Sequence, residues 1–374
     1  MPRRHDDLFG EIANFQALRR AALRAVRGKR KKPGAAAFMA NLERELLRLE
    51  RELKDDGYRP GKYLEIELHE PKHRIVSAAP FRDRVVHHAV HEVVAPIFER
   101  AFIANSYANR DGKGTHRAVA CYERYRDRHR HVLRCDIYRY FPAIDHEVLK
   151  RDIARRIACA PTLELLARII DGSNRQEPVT LYYPGDDLFT PHTRRRGLPI
   201  GNLTSQFFAN LYLDPLDHFA TERLGARYLR YVDDFALFHD DPGTLEAWRR
   251  AIAAFLAKRR LSLHPRKTHV VETSAPVPFL GFVLHSHGYR SVPEANVARF
   301  RNRLRSLRDR WRRGAVSDSE VDARVSAWNA HAAHADTWRL RAAIFRGGRF
   351  DPAARGGLAG SPNAPRRARR LLEQ

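Results

Sequence analysis

The sequence predicts an α+β protein, and three observations carry the prediction. Several long runs repeat apolar residues at helical spacing, and a few short runs alternate or are β-branched between turn residues. Between residues 227 and 238, two aromatic-rich arms flank the adjacent carboxylates Asp233 and Asp234, which reads as a β-hairpin with both acids at its tip.

The elements follow in chain order. Phe9, Ile12, Phe15, Leu18 and Val26 recur at near-helical spacing up to a basic run at Gly28–Gly34. A second helix carries Phe38, Leu42, Leu46, Leu49 and Leu53 on one face and ends near Gly57 and Pro60. Leu64, Ile66 and Leu68 alternate with polar residues as a strand does. The basic segment from Glu70 to Val76 then leads into a helix containing Val85, Val86, Val90 and Val94. Arg110 to Thr115 is a basic glycine loop without phosphate-loop spacing, so a plain turn is the better reading. Val132 to Ile137 reads as a buried strand ending in an acid, and Asp145 is placed to cap the helix that follows. Residues 171–196 are loop-rich. Gly197 to Gly201 is a turn feeding a helix with Phe208, Leu211, Tyr212 and Leu216, which Pro215 should bend. Pro242-Gly243-Thr244 opens another helix, and Phe279 to Leu284 reads as a late strand. From Val297 to Trp311 the apolar spacing is heptad-like, while the other faces through Arg313 carry eight arginines, nearly unbalanced by acids, which suits a duplex backbone.

Composition narrows the function. The 374 residues leave room for two or three packed units, with 43% hydrophobic and 30% charged residues. A formal charge of +24 favours a polyanionic partner, nucleic acid first. No apolar run reaches the roughly 18 residues that a membrane span needs. The N-terminus lacks a signal-peptide core, and three cysteines without a C-x-x-C pair fit a reducing cytoplasm, the expected location.

Asp233 and Asp234 raise a chemical question, because burying two acids is costly unless something positive sits beside them. Mg²⁺ is the natural partner of such oxygens, and an ordinary Asp-Asp turn is the competing reading. Phosphoryl transfer needs two metal ions held by carboxylates from separate elements, and Asp136 at a strand end is the second source.

At this point the chain resembles the reverse transcriptases. Tyr231-Val232-Asp233-Asp234 is similar to their Y-x-D-D box, and the Asp136 segment to their first catalytic motif. Gly197 to Gln206 resembles the motif before the long palm helix. Leu261 to Thr268 resembles the basic segment after the box, and Phe279-Leu280-Gly281 the primer-grip hairpin. The resemblance implies a right-hand polymerase with fingers, a palm built on an antiparallel sheet with the catalytic hairpin, and a helical thumb. The corresponding boundaries are 1–130 for an N-terminal extension and fingers, 131–289 for the palm with an intervening segment near 171–196, 290–350 for the thumb, and 351–374 for a basic, disordered tail.

The resemblance also implies roles. Asp136, Asp233 and Asp234 would hold two Mg²⁺ ions (Mn²⁺ as a substitute) with the Ile137 carbonyl, and Lys267 would protonate pyrophosphate or be a surface lysine. Lys72 and Arg74 would meet the triphosphate, with Ile200, Gly201 and Gln206 beside the nucleotide. Phe141 matches the steric gate that reads the 2′-hydroxyl, with Tyr140 as the competing candidate. Phe279, Leu280, Gly281, Arg301, Arg305, Arg308 and Arg312 would hold primer and template. Expected partners are template RNA, a DNA or RNA primer and dNTPs, with no membrane.

Ile200-Gly201-Asn202-Leu203-Thr204-Ser205-Gln206 departs from the usual Gln-Gly form and resembles the enzymes of diversity-generating retroelements, which copy adenines with errors and work with a small basic accessory protein. Related antiviral-defence enzymes using a dedicated noncoding RNA, or a catalytically weak RNA-binding protein of the same fold, are the alternatives. His87 and His91, one helical turn apart, read as a solvated or nucleic-acid-facing pair rather than metal ligands.

Overall fold

The computed structural model describes residues 4–69, 73–174 and 180–346. These divide into two compact units, residues 4–125 with 131–271, and 126–130 with the residues from 272 onward.

The first unit begins with helices α1 (Phe9–Ile12), α2 (Phe15–Ala25), α3 (Pro33–Ala40) and α4 (Leu42–Lys54). The sequence predicts one helix through Phe38 and Leu53, but the chain breaks at Asn41. Asn14 caps α2 by accepting from the Ala17 N–H, satisfying a donor the helix itself leaves unpaired. Strands β1 (Leu64–Leu68) and β2 (Arg74–Ala78) form a separate antiparallel hairpin. The alternation in β1 is real, yet both of its faces are exposed, so Leu64, Ile66 and Leu68 contribute no core burial.

Helix α5 (Phe81–Glu99) runs through the core and packs against α2. It buries His87, and the His91 ring stands edge-on to Phe207 at 5.6 Å, so this pair is packed rather than solvated. After α6 (Thr115–Arg126) comes β3 (His131–Asp136), ending one residue earlier than the predicted strand. The short α7 (Tyr140–Ala143) precedes α8 (His146–Ala154), which Asp145 caps through the Val148 N–H at 3.0 Å, as expected. Helices α9 (Ala160–Asp171) and α10 (Thr190–Thr193) follow. The loop-rich stretch is pinned by charge: Arg194 Nη1 donates to Asp186 at 2.9 Å, and Arg260 Nη1 donates to Asp145 at 2.9 Å.

Helix α11 (Leu203–His218) continues through Pro215 and passes into a π-helical turn at Phe219–Arg223. Strands β4 (Arg227–Tyr231) and β5 (Asp234–His239), helix α12 (Pro242–Lys258) and β6 (His269–Glu272) complete a four-stranded sheet in the order β4-β5-β3-β6. Asp241, one residue before the predicted cap, accepts from the N–H groups of Gly243 and Thr244. Val132, Leu133, Leu237 and Phe238 are fully buried because both faces of the sheet are covered. Tyr122 of α6 stands edge-on to Phe238 at 5.0 Å, while Phe235 and Leu237 join the core shared with α5 and α11.

In the second unit, the late strand is instead a hairpin of β7 (Val277–Phe279) and β8 (Phe282–Leu284), with Phe279 opposite Phe282. Leu280 (φ 46°) and Gly281 (φ 90°) turn it, the positive-φ pair that a tight hairpin requires. The buried Arg126 guanidinium donates to the carbonyls of Thr273 and Leu284, both at 2.6 Å. Strand β9 (Arg290–Ser291) pairs with β8, and α13 (Glu294–Arg312), α14 (Asp318–Ala332) and α15 (Trp338–Phe345) form the helical part. Helix α13 buries Val297, Leu304 and Leu307 and exposes Arg301, Arg305 and Arg312, matching the predicted two-faced helix. The predicted tail at 351–374 lies outside the described residues.

Gly201 links two elements of the first unit. At φ +109° a Cβ there would meet Val76 Cγ1 of β2 at 2.7 Å. Gly201→Ala is expected to cost about 1–3 kcal/mol of stability in urea denaturation, the range of a strained left-handed residue.

Candidate active site

Asp136 closes β3 and Asp234 opens β5, and the antiparallel register sets them directly opposite each other. Cross-strand partners project to the same face, so the two carboxylates are neighbours. Tyr231 pairs with Asp234, leaving Val232 and Asp233 as a two-residue turn. Val232 has φ 58°, a strained value for a β-branched side chain that persists only where surroundings impose it.

What imposes it is Arg230, fully buried in β4. Its Nη1 donates to the Val232 carbonyl at 3.0 Å and to Asn210 Oδ1 at 3.1 Å. Its Nε and Nη2 grip both oxygens of buried Asp217, at 2.7 and 2.6 Å. The Tyr228 hydroxyl adds a bond to Asp217 Oδ1 at 2.7 Å. Asn210 and Asp217 stand seven residues apart in α11, which puts them on one face. Outside the turn, Thr115 Oγ1 donates to the Tyr231 hydroxyl at 3.1 Å.

A second segment backs Asp136. Ile137 bridges Leu263, with Tyr138 N–H donating to Ser262 O at 2.9 Å and His264 N–H to Asp136 O at 2.7 Å. Because the flanking residues make those bonds, the Ile137 carbonyl points to the opposite edge, the side of β5. The same segment delivers Lys267, whose Nζ donates to Asp136 Oδ2 at 2.6 Å.

The electrostatics are those of crowded acids. Burial first, then the charges of Asp233 and Asp136, push the Asp234 carboxyl up to about 7, while Lys267 and Arg134 oppose the rise. Among the described residues only Glu67, His69 and His73 bring three ligand atoms within 4.8 Å of one another, so the aspartates are adjacent without converging on one point. Their oxygens are nevertheless hard donors of the kind that suits a divalent cation such as Mg²⁺, and their mutual repulsion is what a cation relieves. The residues therefore fit the expected metal.

The other predicted residues are placed as follows. Tyr140 is fully buried with its hydroxyl on the Ala209 carbonyl, whereas Phe141 is half-buried and therefore better placed to meet a ligand. The Ile200 carbonyl accepts from the Ser77 N–H at 3.0 Å, and Asn202 brackets the same residue, donating to Ser77 O at 2.9 Å and accepting from Ala79 N–H at 3.3 Å. This latch ties the turn before α11 to the strand that Arg74 opens, and Gln206 sits half-buried on the first turns of α11. Lys72 lies outside the described residues. Phe279, Leu280, Gly281 and the arginines of α13 belong to the second unit.

Sequence reasoning passed over Arg230, Asp217, Asn210, Tyr228 and Asn202. The available signal was an arginine between apolar and aromatic residues of β4, and the polar pair Asn210 and Asp217 at i and i+7 of α11.

Two outcomes are expected. Arg230→Met should destabilise the protein by about 3–5 kcal/mol, because Asp217 is left buried and unpaired, while the double change Arg230→Met/Asp217→Leu should recover most of the loss in denaturant titrations. The raised Asp234 pKa means that its protonation favours folding, a contribution complete below about pH 4 and lost as pH rises through about 7. In metal-free buffer, Asp234→Asn should therefore gain stability relative to wild type between pH 4 and pH 8. A difference that does not change with pH would refute the crowding.

Comparison with known proteins follows the same lines. The model of the family described as reverse transcriptase (RNA-dependent DNA polymerase) matches residues 66–284. Protein YkfC of Escherichia coli (strain K12) is 25% identical over 288 residues, 65% of this chain and 72% of that protein. Among solved structures, telomerase from Candida albicans in complex with a TWJ fragment of telomeric RNA aligns with TM-score 0.41 and 15% identity, over 63% of this chain and 45% of that one. Apo telomerase from Candida tropicalis, truncated from its C-terminal domain, aligns with TM-score 0.44 and 12% identity, over 62% of this chain and 55% of that one. The chain thus spans about half the length of these two structures. No helix among the described residues is long and apolar enough to cross a membrane. With its family match extending over more than half the sequence and containing all three aspartates, the chain belongs to the reverse transcriptase family.

Proposed function

We propose that this chain copies an RNA template into DNA by nucleotidyl transfer, with Asp136, Asp233 and Asp234 holding two Mg²⁺ ions. The observation that carries the reading is the Asp136–Asp234 register pair beside the strained Val232-Asp233 turn. Bound Mg²⁺ supplies Lewis acidity, activating the primer 3′-hydroxyl and neutralising the pyrophosphate. The chain's own residues do the rest. Arg230 and Asp217 hold the turn that carries Asp233, so the carboxylates need no reorganisation when charge develops. Lys267 keeps an ammonium on Asp136 and stands ready to give a proton to the leaving group. Phe141 meets the sugar and excludes a 2′-hydroxyl. Lys72 and Arg74 neutralise the triphosphate, and Ile200, Gly201 and Gln206 border the nucleotide.

In this reading the β1–β2 hairpin belongs to the fingers, the four-stranded sheet is the palm, and the helices from α13 onward are the thumb. Phe279 to Gly281 and α13, with Arg301, Arg305 and Arg312 on its exposed face and the half-buried Arg308 beside them, track the primer–template backbone. Ile200 supports the finer assignment to a diversity-generating retroelement. It offers no side-chain hydrogen bond beside the nucleotide, so pairing geometry is checked less strictly. A cytoplasmic location and a small basic accessory protein go with that assignment.

Primer extension on RNA with dNTPs tests the activity. Wild type should extend and Asp233→Ala should fall to background; background from both removes the proposal. Phe141→Ala should admit rNTPs that wild type rejects. Product sequencing should place errors at template adenines, and an even error distribution counts against the retroelement assignment.

A further inference from the structure

We propose that the turn end of the β1–β2 ladder, beyond Leu68 and Arg74, is a binding site for a divalent transition ion, zinc first, held by Glu67, His69 and His73. The β1–β2 ladder ends with Leu68 opposite Arg74, so His69 and His73 occupy the next facing positions. Side chains alternate along a strand, which puts Glu67 on the face of His69. The geometry agrees. The two imidazole rings lie 5.4 Å apart, and both Nε2 atoms approach the same Glu67 oxygen, Oε2, at 3.8 Å from His69 and 3.5 Å from His73. Good hydrogen bonds are shorter, at about 2.7–3.2 Å. A tetrahedral ion with bonds of about 2.0–2.2 Å spaces its donors roughly 3.3–3.6 Å apart, so only a small adjustment separates this cluster from a ligand shell.

The donor set selects the ion. Two imidazole nitrogens and one carboxylate suit zinc and its neighbours, whereas Mg²⁺ prefers oxygen alone. The site therefore differs in chemistry from the three aspartates. All three side chains are exposed (74% for His69, 60% for Glu67 and 58% for His73), which leaves the remaining coordination position to water.

The ion would act as a staple. A lone two-stranded hairpin is marginal in water, and β1 is exposed along its whole length. An ion bridging the two strands at that end of the ladder stabilises the paired state by an amount that grows with its occupancy. Arg74 directly follows His73, so the staple fixes the entry of the strand assigned to the triphosphate. That consequence, unlike the site itself, rests on the polymerase reading.

The test is calorimetric titration of the untagged full chain with ZnCl₂ in excess Mg²⁺, which keeps the aspartates occupied. With 19 histidines in the chain, the readout is the difference between proteins rather than total uptake. Wild type should show one site that His69→Ala and His73→Ala each weaken at least tenfold, with circular-dichroism melting unchanged in the metal-free proteins. Equal zinc affinity in wild type and either variant overturns the site, whether or not the chain proves to be a polymerase. In active preparations, zinc should lower the dNTP KM of wild type but not of His73→Ala; a KM indifferent to zinc overturns the staple's consequence.

Discussion

The Val232-Asp233 turn depends on one buried ion pair. Arg230 and Asp217 are both withdrawn from water, a large desolvation cost that only near-ideal geometry offsets. The geometry is near ideal, a two-pronged contact in which the remaining guanidinium donors reach Asn210 and the Val232 carbonyl. A pair like this is weak evidence for stability, since hydrophobic residues often fill such a space as well. Its value here is positional. A strained Val232 would relax if its carbonyl were free to swing, and Asp233 would move with it.

Around that fixed point the protein gathers charges that repel. Asp136, Asp233 and Asp234 stand at neighbouring strand ends, and burial adds to their mutual cost. A fold selected for stability alone would separate them. Lys267 partly compensates from the segment that hydrogen-bonds alongside Asp136, setting one ammonium among the carboxylates.

The turn before α11 is held by uncharged contacts. Ile200 and Asn202 grip Ser77 and Ala79, and Gly201 is small enough to lie against Val76. The turn before α11 is thereby coupled to a hairpin whose outer strand buries nothing. Such an element opens more easily than the core.

Much was legible in the sequence because local pattern determined it. Alternation and helical spacing located most elements, the cap at Asp145 follows from a side chain that satisfies the first turn, and Asp136, Asp233 and Asp234 were named from their motifs. Misreadings occurred where a pattern carries no partner. Leu64, Ile66 and Leu68 form the strand that their alternation predicts, but the pattern could not say that nothing covers it, and the apolar run from Phe279 to Leu284 reads as one strand although it holds the hairpin that the Phe279-Leu280-Gly281 resemblance implies. His87 and His91 drew notice for their helical spacing, while Glu67, His69 and His73 meet only across a hairpin. By itself the sequence determined which residues carry charge and where chain direction changes, since both are local properties. Only the tertiary structure decided that Arg230 would find Asp217, that Asp136 would face Asp234, and that Tyr140 would be occupied and Phe141 left half-exposed. Those outcomes depend on register and packing between distant segments, which no local spacing encodes.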